Sequence, residues 1–132
     1  MLIVDAANVV GSRPDGWWRD RPGAATRLIT RLGEAVGAGR LTGVTGPVTV
    51  VLEGRAREAD PVPPEGVSIV RATGSGDDTI VEVAAAAAST GGAGSGPAVI
   101  VVTADRALSE RVRSAGAAVW PPGRLLHLLE TP

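Results

Sequence analysis

Four aspartates stand where an apolar run of the sequence gives way to a loop or a helix. Asp5 directly follows Leu2-Ile3-Val4, and Asp105 follows a second such run. The adjacent pair Asp77 and Asp78 opens a long alanine-rich segment. Carboxylates that share one pocket repel each other, and a divalent cation bound between them relieves that repulsion. If the fold brings these acids together, the sequence therefore predicts a metal-dependent site.

Alternating strands and helices are the elements that must position these acids. The predicted strands are Leu2–Val4, Val48–Leu52, Val67–Val70, Ala98–Val102 and a short edge strand Ala117–Trp120. The predicted helices cover 23–36, a segment from Ser75 or Asp77 to Ser89, 105–115, and a last segment that starts at Pro121 and Pro122 and runs through Leu129. This order predicts a three-layer α/β/α sandwich with a mostly parallel central sheet of about five strands. Because the carboxyl ends of parallel strands share one edge, where ligands bind, the distant acids are expected to meet there.

The remaining segments are predicted to be connections. Residues 6–22 and 59–66 are rich in turn-forming residues, and Gly91–Pro97 is expected to be a flexible surface loop. No internal repeat or domain boundary is evident. The chain, residues 1–132, is therefore expected to form one domain.

Composition excludes several kinds of chemistry. There is no Cys and no Lys, so thiol catalysis, disulfides, Schiff-base chemistry and the lysine of phosphoacceptor receiver domains are absent. His127 is the only histidine and lies far in sequence from the acids, which argues against a Ser-His-Asp triad. No apolar run approaches the roughly 20 residues that span a bilayer. Asp5 interrupts the only apolar N-terminal stretch, so no signal peptide is expected and a cytoplasmic protein is predicted.

Nucleic-acid binding is suggested locally rather than by overall charge. The formal net charge is -1, and all 13 basic residues are Arg. In the segment 12–21, Arg13, Trp17 and Arg19 lie close together in sequence, and such a mixture suits phosphates and unpaired bases of a single strand. Arg106 is a further candidate for a phosphate. The alternative is that one tryptophan of the segment packs onto the first predicted helix.

Three motifs together resemble those of the NYN domain family, YacP-like branch, within the PIN-like nuclease superfold. The first is the opening segment Leu2–Gly11, in which an acid ends a strand and Asn8 follows three residues later. The second is Gly76–Glu82 at a predicted helix start, and the third is Val101–Arg106, with an Asp soon after a strand and beside a Thr. The resemblance spans residues 2 to about 120, nearly the whole chain.

The resemblance implies Mg²⁺- or Mn²⁺-dependent cleavage of RNA that leaves a 5′-phosphate and a 3′-hydroxyl. It implies that Asp5, Asp77 and Asp105 are the catalytic acids and metal ligands. It further implies that Asn8 positions a phosphate or an acid and is both a catalytic and a substrate-binding residue. Asp78 is either an accessory acid or the ligand itself. Thr103 is expected to orient an acid or the attacking water and to lie at the substrate. The family often has Asp after the second strand, where this chain has Glu53, so the role of Glu53 stays open.

Each candidate also has a plainer interpretation. Asp77 or Asp78, and likewise Asp105, would serve as helix caps, and Asn8 would form a turn. Asp5 fits this interpretation poorly, because no helix is predicted directly after it. Glu82 either reaches the site or lies on a solvated helix face.

Two functions follow from these interpretations. One is a metal-dependent endoribonuclease, and the other is a catalytically silent module of the same fold that binds RNA or the ribosome. The expected partners are RNA, with the ribosome as a source of additional affinity, and no membrane. An exposed Val- or Ala-rich helix face would also permit a homodimer.

Overall fold

The computed structural model describes residues 1–13, 16–90 and 99–130, and this part of the chain contains five strands and five α-helices. The strands are β1 (Leu2–Asp5), β2 (Val48–Leu52), β3 (Val67–Arg71), β4 (Ile100–Val102) and β5 (Ala118–Trp120). The helices are α1 (Ala6–Gly11), α2 (Arg21–Gly37), α3 (Gly76–Thr90), α4 (Arg106–Ser114) and α5 (Pro122–Glu130). Two short 3₁₀ helices cover Trp17–Arg19 and Gly54–Glu58.

The sheet has the order β3-β2-β1-β4-β5, and all four strand pairs are parallel. The first strand of the chain is therefore the central one. Its register sets Val4 beside Val50 of β2 and Val102 of β4, and Asp5 beside Val51. The predicted α/β class with a five-stranded parallel sheet is confirmed.

The helices cover both faces of the sheet. Because successive strand residues point to opposite faces, Leu2 and Val4 pack in one cluster and Ile3 in another. The first cluster includes side chains of α1, α2 and α5, and the second includes Ile80 of α3 and Leu108 of α4. The result is the predicted three-layer sandwich, with β1 buried in its middle layer.

The prediction that residues 6–22 form a loop is wrong. Helix α1 begins immediately after Asp5, whose carboxylate accepts a hydrogen bond from the Asn8 backbone N–H at 3.4 Å. This helix has only six residues and contains two β-branched valines, so neither periodicity nor helix propensity marks it. The argument that no helix follows Asp5 is wrong for the same reason, since Asp5 is the N-cap of α1.

Other boundaries shift by a few residues. Helix α2 starts at Arg21 because the Asp20 carboxylate accepts from the Gly23 N–H at 3.0 Å and caps it. The predicted loop Gly91–Pro97 and Ala98 lie outside the described residues. None of the helices in the described ranges is long and apolar enough to cross a membrane.

Candidate active site at the carboxyl edge of the sheet

The sheet has a topological switch point next to β1. From β1 the chain passes to β2 on one side, and from β4 it passes to β5 on the other, so a crevice opens between the carboxyl ends of β1 and β4. Asp5 ends β1, and Thr103 and Asp105 follow β4. Glu53 directly follows β2, and Asp77 lies in the first turn of α3.

Hydrogen bonds join the two sides of this crevice. The Thr103 Oγ1 hydroxyl donates to Asp5 Oδ2 at 2.9 Å and accepts from the Asp105 backbone N–H at 3.1 Å. Asn8 Oδ1 accepts from the Ala104 backbone N–H at 2.9 Å. Thr103 is therefore hydrogen-bonded to one acid and to the backbone of another, and Asn8 holds the segment that leads to Asp105.

Asp105 caps helix α4 and also lies at the crevice. Its Oδ1 accepts from the Leu108 backbone N–H at 3.0 Å, which confirms the capping interpretation. The side chain is only partly buried. A carboxylate has acceptor sites for about four hydrogen bonds, so the cap leaves capacity for a ligand.

Glu53 joins this site through a contact that spans two elements. Its Oε2 accepts from the Gly76 backbone N–H at 2.7 Å, so a residue after β2 satisfies a free N–H group at the start of α3. A Cβ atom at position 76 would lie 2.6 Å from Glu53 Oε2, so any larger residue there would displace this carboxylate. The sequence signal for this residue was its place directly after a predicted strand.

The acids repel one another across the crevice. Burial raises the pKa of Asp5 to about 6, the hydrogen bonds from Thr103 and Asn8 oppose this shift, and the charges of Glu53 and Asp77 add to it. Burial also raises the pKa of Asp77, with further contributions from the charges of Asp105, Glu53 and Asp78, while Arg111 lowers it. We call Asp5, Glu53, Asp77 and Asp105 the acidic cluster.

The two neighbouring aspartates of α3 have different surroundings. Asp78 Oδ1 accepts from Arg111 of α4 at 2.9 Å, and both side chains are exposed. No described residue donates a hydrogen bond to the Asp77 carboxylate, although its backbone N–H donates to Ser75 Oγ at 3.2 Å. Glu82 is exposed. Of these acids, Asp77 is the one whose charge reaches both Asp5 and Asp105.

The donor atoms of the acidic cluster are all carboxylate oxygens, which are the ligands that Mg²⁺ and Mn²⁺ prefer. Within the described ranges, however, no three acidic or histidine side chains are placed so that they could hold one ion. Both oxygens of Asp5 accept hydrogen bonds within the protein, and the carboxylate of Asp77 has no described donor. The cluster therefore offers suitable donor atoms for a divalent cation but, as its side chains lie, no set of three acids around one ion, and Asp77 is the acid least held by other contacts.

The predicted substrate-binding residues fall in several places. Arg13 forms an ion pair with Glu130 of α5, away from the acidic cluster. Trp17 is half-buried, whereas Trp18 is 53% exposed and has the Arg19 guanidinium 5.9 Å from its ring centroid. Arg106 is exposed and lines an open groove of 600 Å³ together with Thr103 and Arg113.

The parallel sheet and the helices on both of its faces define an α/β/α fold with acids along the carboxyl edge of the sheet. This fold is similar to that of Rae1 (YacP) from Bacillus subtilis, whose crystal structure superposes with a TM-score of 0.74 at 21% identity. The W164L mutant of Rae1 gives a TM-score of 0.65 at the same identity. Both alignments cover 98% of this chain and 73% of the other. No protein-family model and no curated protein sequence matches the chain.

The exposed large apolar side chains in the described ranges are Trp18 and Val62. They lie on different segments and form no continuous helix face. The homodimer therefore stays a prediction.

Proposed function

We propose that the protein is a metal-dependent endoribonuclease of the YacP-like branch of the NYN family. The observation that carries this proposal is the acidic cluster at the switch point, where Asp5 is buried with its pKa raised to about 6 by desolvation and by neighbouring acids. Mutual repulsion of this kind costs stability and is relieved by a bound cation. The three sequence motifs and the likeness of fold to Rae1 support the same conclusion.

The residues around the acidic cluster hold it in place for catalysis. A Mg²⁺ or Mn²⁺ ion bound to Asp5, Asp77 and Asp105 would neutralise the phosphate and favour attack by water. Thr103 and Asn8 fix the positions of Asp5 and of the segment before Asp105. Hydrolysis in this form needs no covalent intermediate, in keeping with the absence of Cys and Lys from the sequence.

RNA is the proposed substrate, and a single strand fits the surroundings of the site. Arg106 and Arg113 line the groove next to Thr103 and would contact phosphates. The net charge of -1 gives little general attraction to RNA, so a partner such as the ribosome would supply additional affinity. Such a protein would act in the cytoplasm.

A catalytically silent RNA- or ribosome-binding module is the second candidate. Asp5 and Asp105 each cap a helix, so both acids have a structural reason to be present without turnover. The enzyme and the silent module differ in whether RNA is cut, which an assay of cleavage decides.

The experiment is cleavage of an end-labelled single-stranded RNA by the purified chain with Mn²⁺ or Mg²⁺, with EDTA as a control. Asp5→Asn is compared with Asp60→Asn, the same chemical change at a carboxylate that is 96% exposed. We expect cutting that requires the metal, is lost in Asp5→Asn and persists in Asp60→Asn. Binding of RNA by folded protein without any cutting would favour the silent module.

A further inference from the structure

An apolar cavity lies directly beside the acidic cluster. Its volume is 360 Å³, at the lower end of the range for ligand pockets, which is about 300–1,000 Å³. Small side chains of α1 and α2 form its walls, Trp17 and Arg21 flank it, and Glu53 contributes a charged group. The wall residues are Ala6, Ala7, Val10 and Ala25. We call this cavity the base pocket.

Trp17 gives the base pocket a flat aromatic surface held in place by its neighbours. The ring lies against α1, where a Cβ atom at Gly11 would be 3.6 Å from Trp17 Cζ2. The Trp18 ring contacts it edge to face, with centroids 6.1 Å apart and planes at 88°. The Arg21 guanidinium is 5.3 Å from the Trp17 ring centroid. Aromatic rings and guanidinium planes are the surfaces on which unpaired RNA bases stack.

Glu53 supplies hydrogen-bond acceptors between the pocket and the catalytic crevice. Its Oε2 already accepts from the Gly76 N–H at 2.7 Å, and a carboxylate can accept about four hydrogen bonds in all. The remaining acceptors suit the N–H groups on the Watson–Crick edge of a base. Guanine offers two adjacent donors there, N1–H and the 2-amino group, and so fits a carboxylate best.

Cations lie next to the pocket, where a phosphate backbone would pass. Arg19, Arg21 and Arg55 line an adjoining groove of 250 Å³, together with Asp20 and Glu58. None of the three arginines has an ion-pair partner among the described residues. Asp20 is engaged as the cap of α2. With three arginines against two acids, the groove has a surplus of one positive charge, which favours a polyanion over an uncharged apolar ligand.

We propose that the base pocket binds one unpaired nucleobase of the RNA, with guanine preferred, between Trp17 with Arg21 on one side and Glu53 on the other. The inference rests on the proposed RNA substrate. It adds a base preference at a position next to the scissile phosphate, because Glu53 belongs to both the pocket and the acidic cluster. Cleavage would then be selective for sequence as well as for single strands.

The test measures binding in EDTA, so that it does not depend on cleavage. The probes are labelled hexauridine and the same oligomer with one central guanosine or inosine, which lacks the 2-amino group. For the wild type we expect guanosine to tighten binding by about tenfold over uridine, with inosine in between. Trp17→Leu should weaken binding of the guanosine probe by about tenfold. Equal affinity of the wild type for all three probes would overturn the proposal.

Two further variants separate the pocket from its surroundings. Ala7→Leu adds volume to the pocket from an exposed position of α1, so it tests the site even if Trp17→Leu does not fold, and it should abolish the preference for guanosine. Ala85→Leu is the matched control: it makes the same change at an exposed position of α3 outside the pocket and should keep the preference. A preference that survives Ala7→Leu would overturn the assignment of the pocket.

Combined with the cleavage assay, the results separate the two proposals. Metal-dependent cutting without any base preference would support the proposed nuclease activity and overturn the proposal of a base pocket. A guanosine preference that depends on Trp17, without cutting, would support the pocket and overturn the nuclease. A folded chain that neither binds nor cuts RNA would overturn both.

Discussion

Thr103 Oγ1 donates to Asp5 Oδ2 at 2.9 Å and joins the ends of two strands that are 98 residues apart in sequence. The same hydroxyl accepts from the Asp105 N–H at 3.1 Å, so one side chain fixes two acids of the cluster. Both Thr103 and Asp5 are buried, where an unsatisfied polar group is costly.

Removing this hydroxyl should therefore weaken the fold and disturb Asp5. We expect Thr103→Val to lower the free energy of unfolding by about 1–3 kcal/mol, because a buried carboxylate and a backbone N–H each lose a partner. The pKa of Asp5 should rise further, since the lost hydrogen bond lowers it in the wild type. The loss of stability should accordingly be larger at pH 8 than at pH 4. Urea denaturation at both pH values measures this, with Thr103→Ser as the control that restores stability, and an equal loss at both values would contradict it.

Charge at Asp5 should destabilise the metal-free protein. Its pKa is raised from 3.8 in a model peptide to about 6, so the folded state binds the proton more tightly than the unfolded state. The contribution of Asp5 to the free energy of unfolding is most favourable below pH 3.8 and is lost as the pH rises through about 6. Asp5→Asn should thus be more stable than the wild type at pH 8 in EDTA, by up to about 3 kcal/mol, and equally stable near pH 4. Denaturation curves from pH 4 to 8 check this, and a variant less stable at pH 8 would refute it.

A divalent cation should make the wild type more stable than Asp5→Asn at pH 8. Binding to the folded state alone stabilises a protein by about 2.7 kcal/mol at a ligand concentration of 100 Kd. We expect Mn²⁺ to raise the Tm of the wild type at pH 8 and to leave Asp5→Asn nearly unchanged. Thermal denaturation with and without Mn²⁺ measures the shift. An equal shift in both proteins would show that the ion binds elsewhere.

Asp77 and Asp78 should differ in their importance for cleavage. Asp78 forms an exposed ion pair with Arg111, and such pairs contribute about 1 kcal/mol or less. Asp78→Asn should keep cleavage close to that of the wild type. Asp77→Asn should reduce it by about 100-fold or more, the effect of losing a group that stabilises charge in the transition state. Rates of RNA cleavage under single-turnover conditions distinguish the two, and a larger loss in Asp78→Asn would exchange their roles.

Gly76 and Glu53 should be strongly coupled. In Gly76→Ala the new Cβ atom would meet Glu53 Oε2 at 2.6 Å, so the carboxylate must move and its hydrogen bond to the start of α3 is lost. We expect a loss of about 0.5–1.5 kcal/mol, the net value of a typical hydrogen bond. In the Glu53→Ala background the same change should be neutral or stabilising, because alanine is the better helix former. A double-mutant cycle by urea denaturation measures the coupling, and additive effects would contradict it.

The strands were predictable because β1, β2 and β4 are buried apolar runs whose ends carry Asp5, Glu53 and Asp105. The contact between Glu53 and Gly76 was not predictable from the sequence, because it depends on how β2 pairs with β3 and on the chain that follows β3. Nor does the sequence decide between Asp77 and Asp78, because adjacent helix residues point about 100° apart and only the packing of α3 fixes which one faces the crevice. Helix α1 was not predicted because six residues are too few to show the helical repeat of apolar side chains.

The central position of β1 also affects when the acidic cluster can form during translation. During translation β1 emerges first, yet one of its two neighbours, β4, begins only at Ile100. A nascent chain that has emerged only through α3 has one edge of β1 unpaired and lacks both Thr103 and Asp105. The acidic cluster is therefore complete only once β4 has docked against β1.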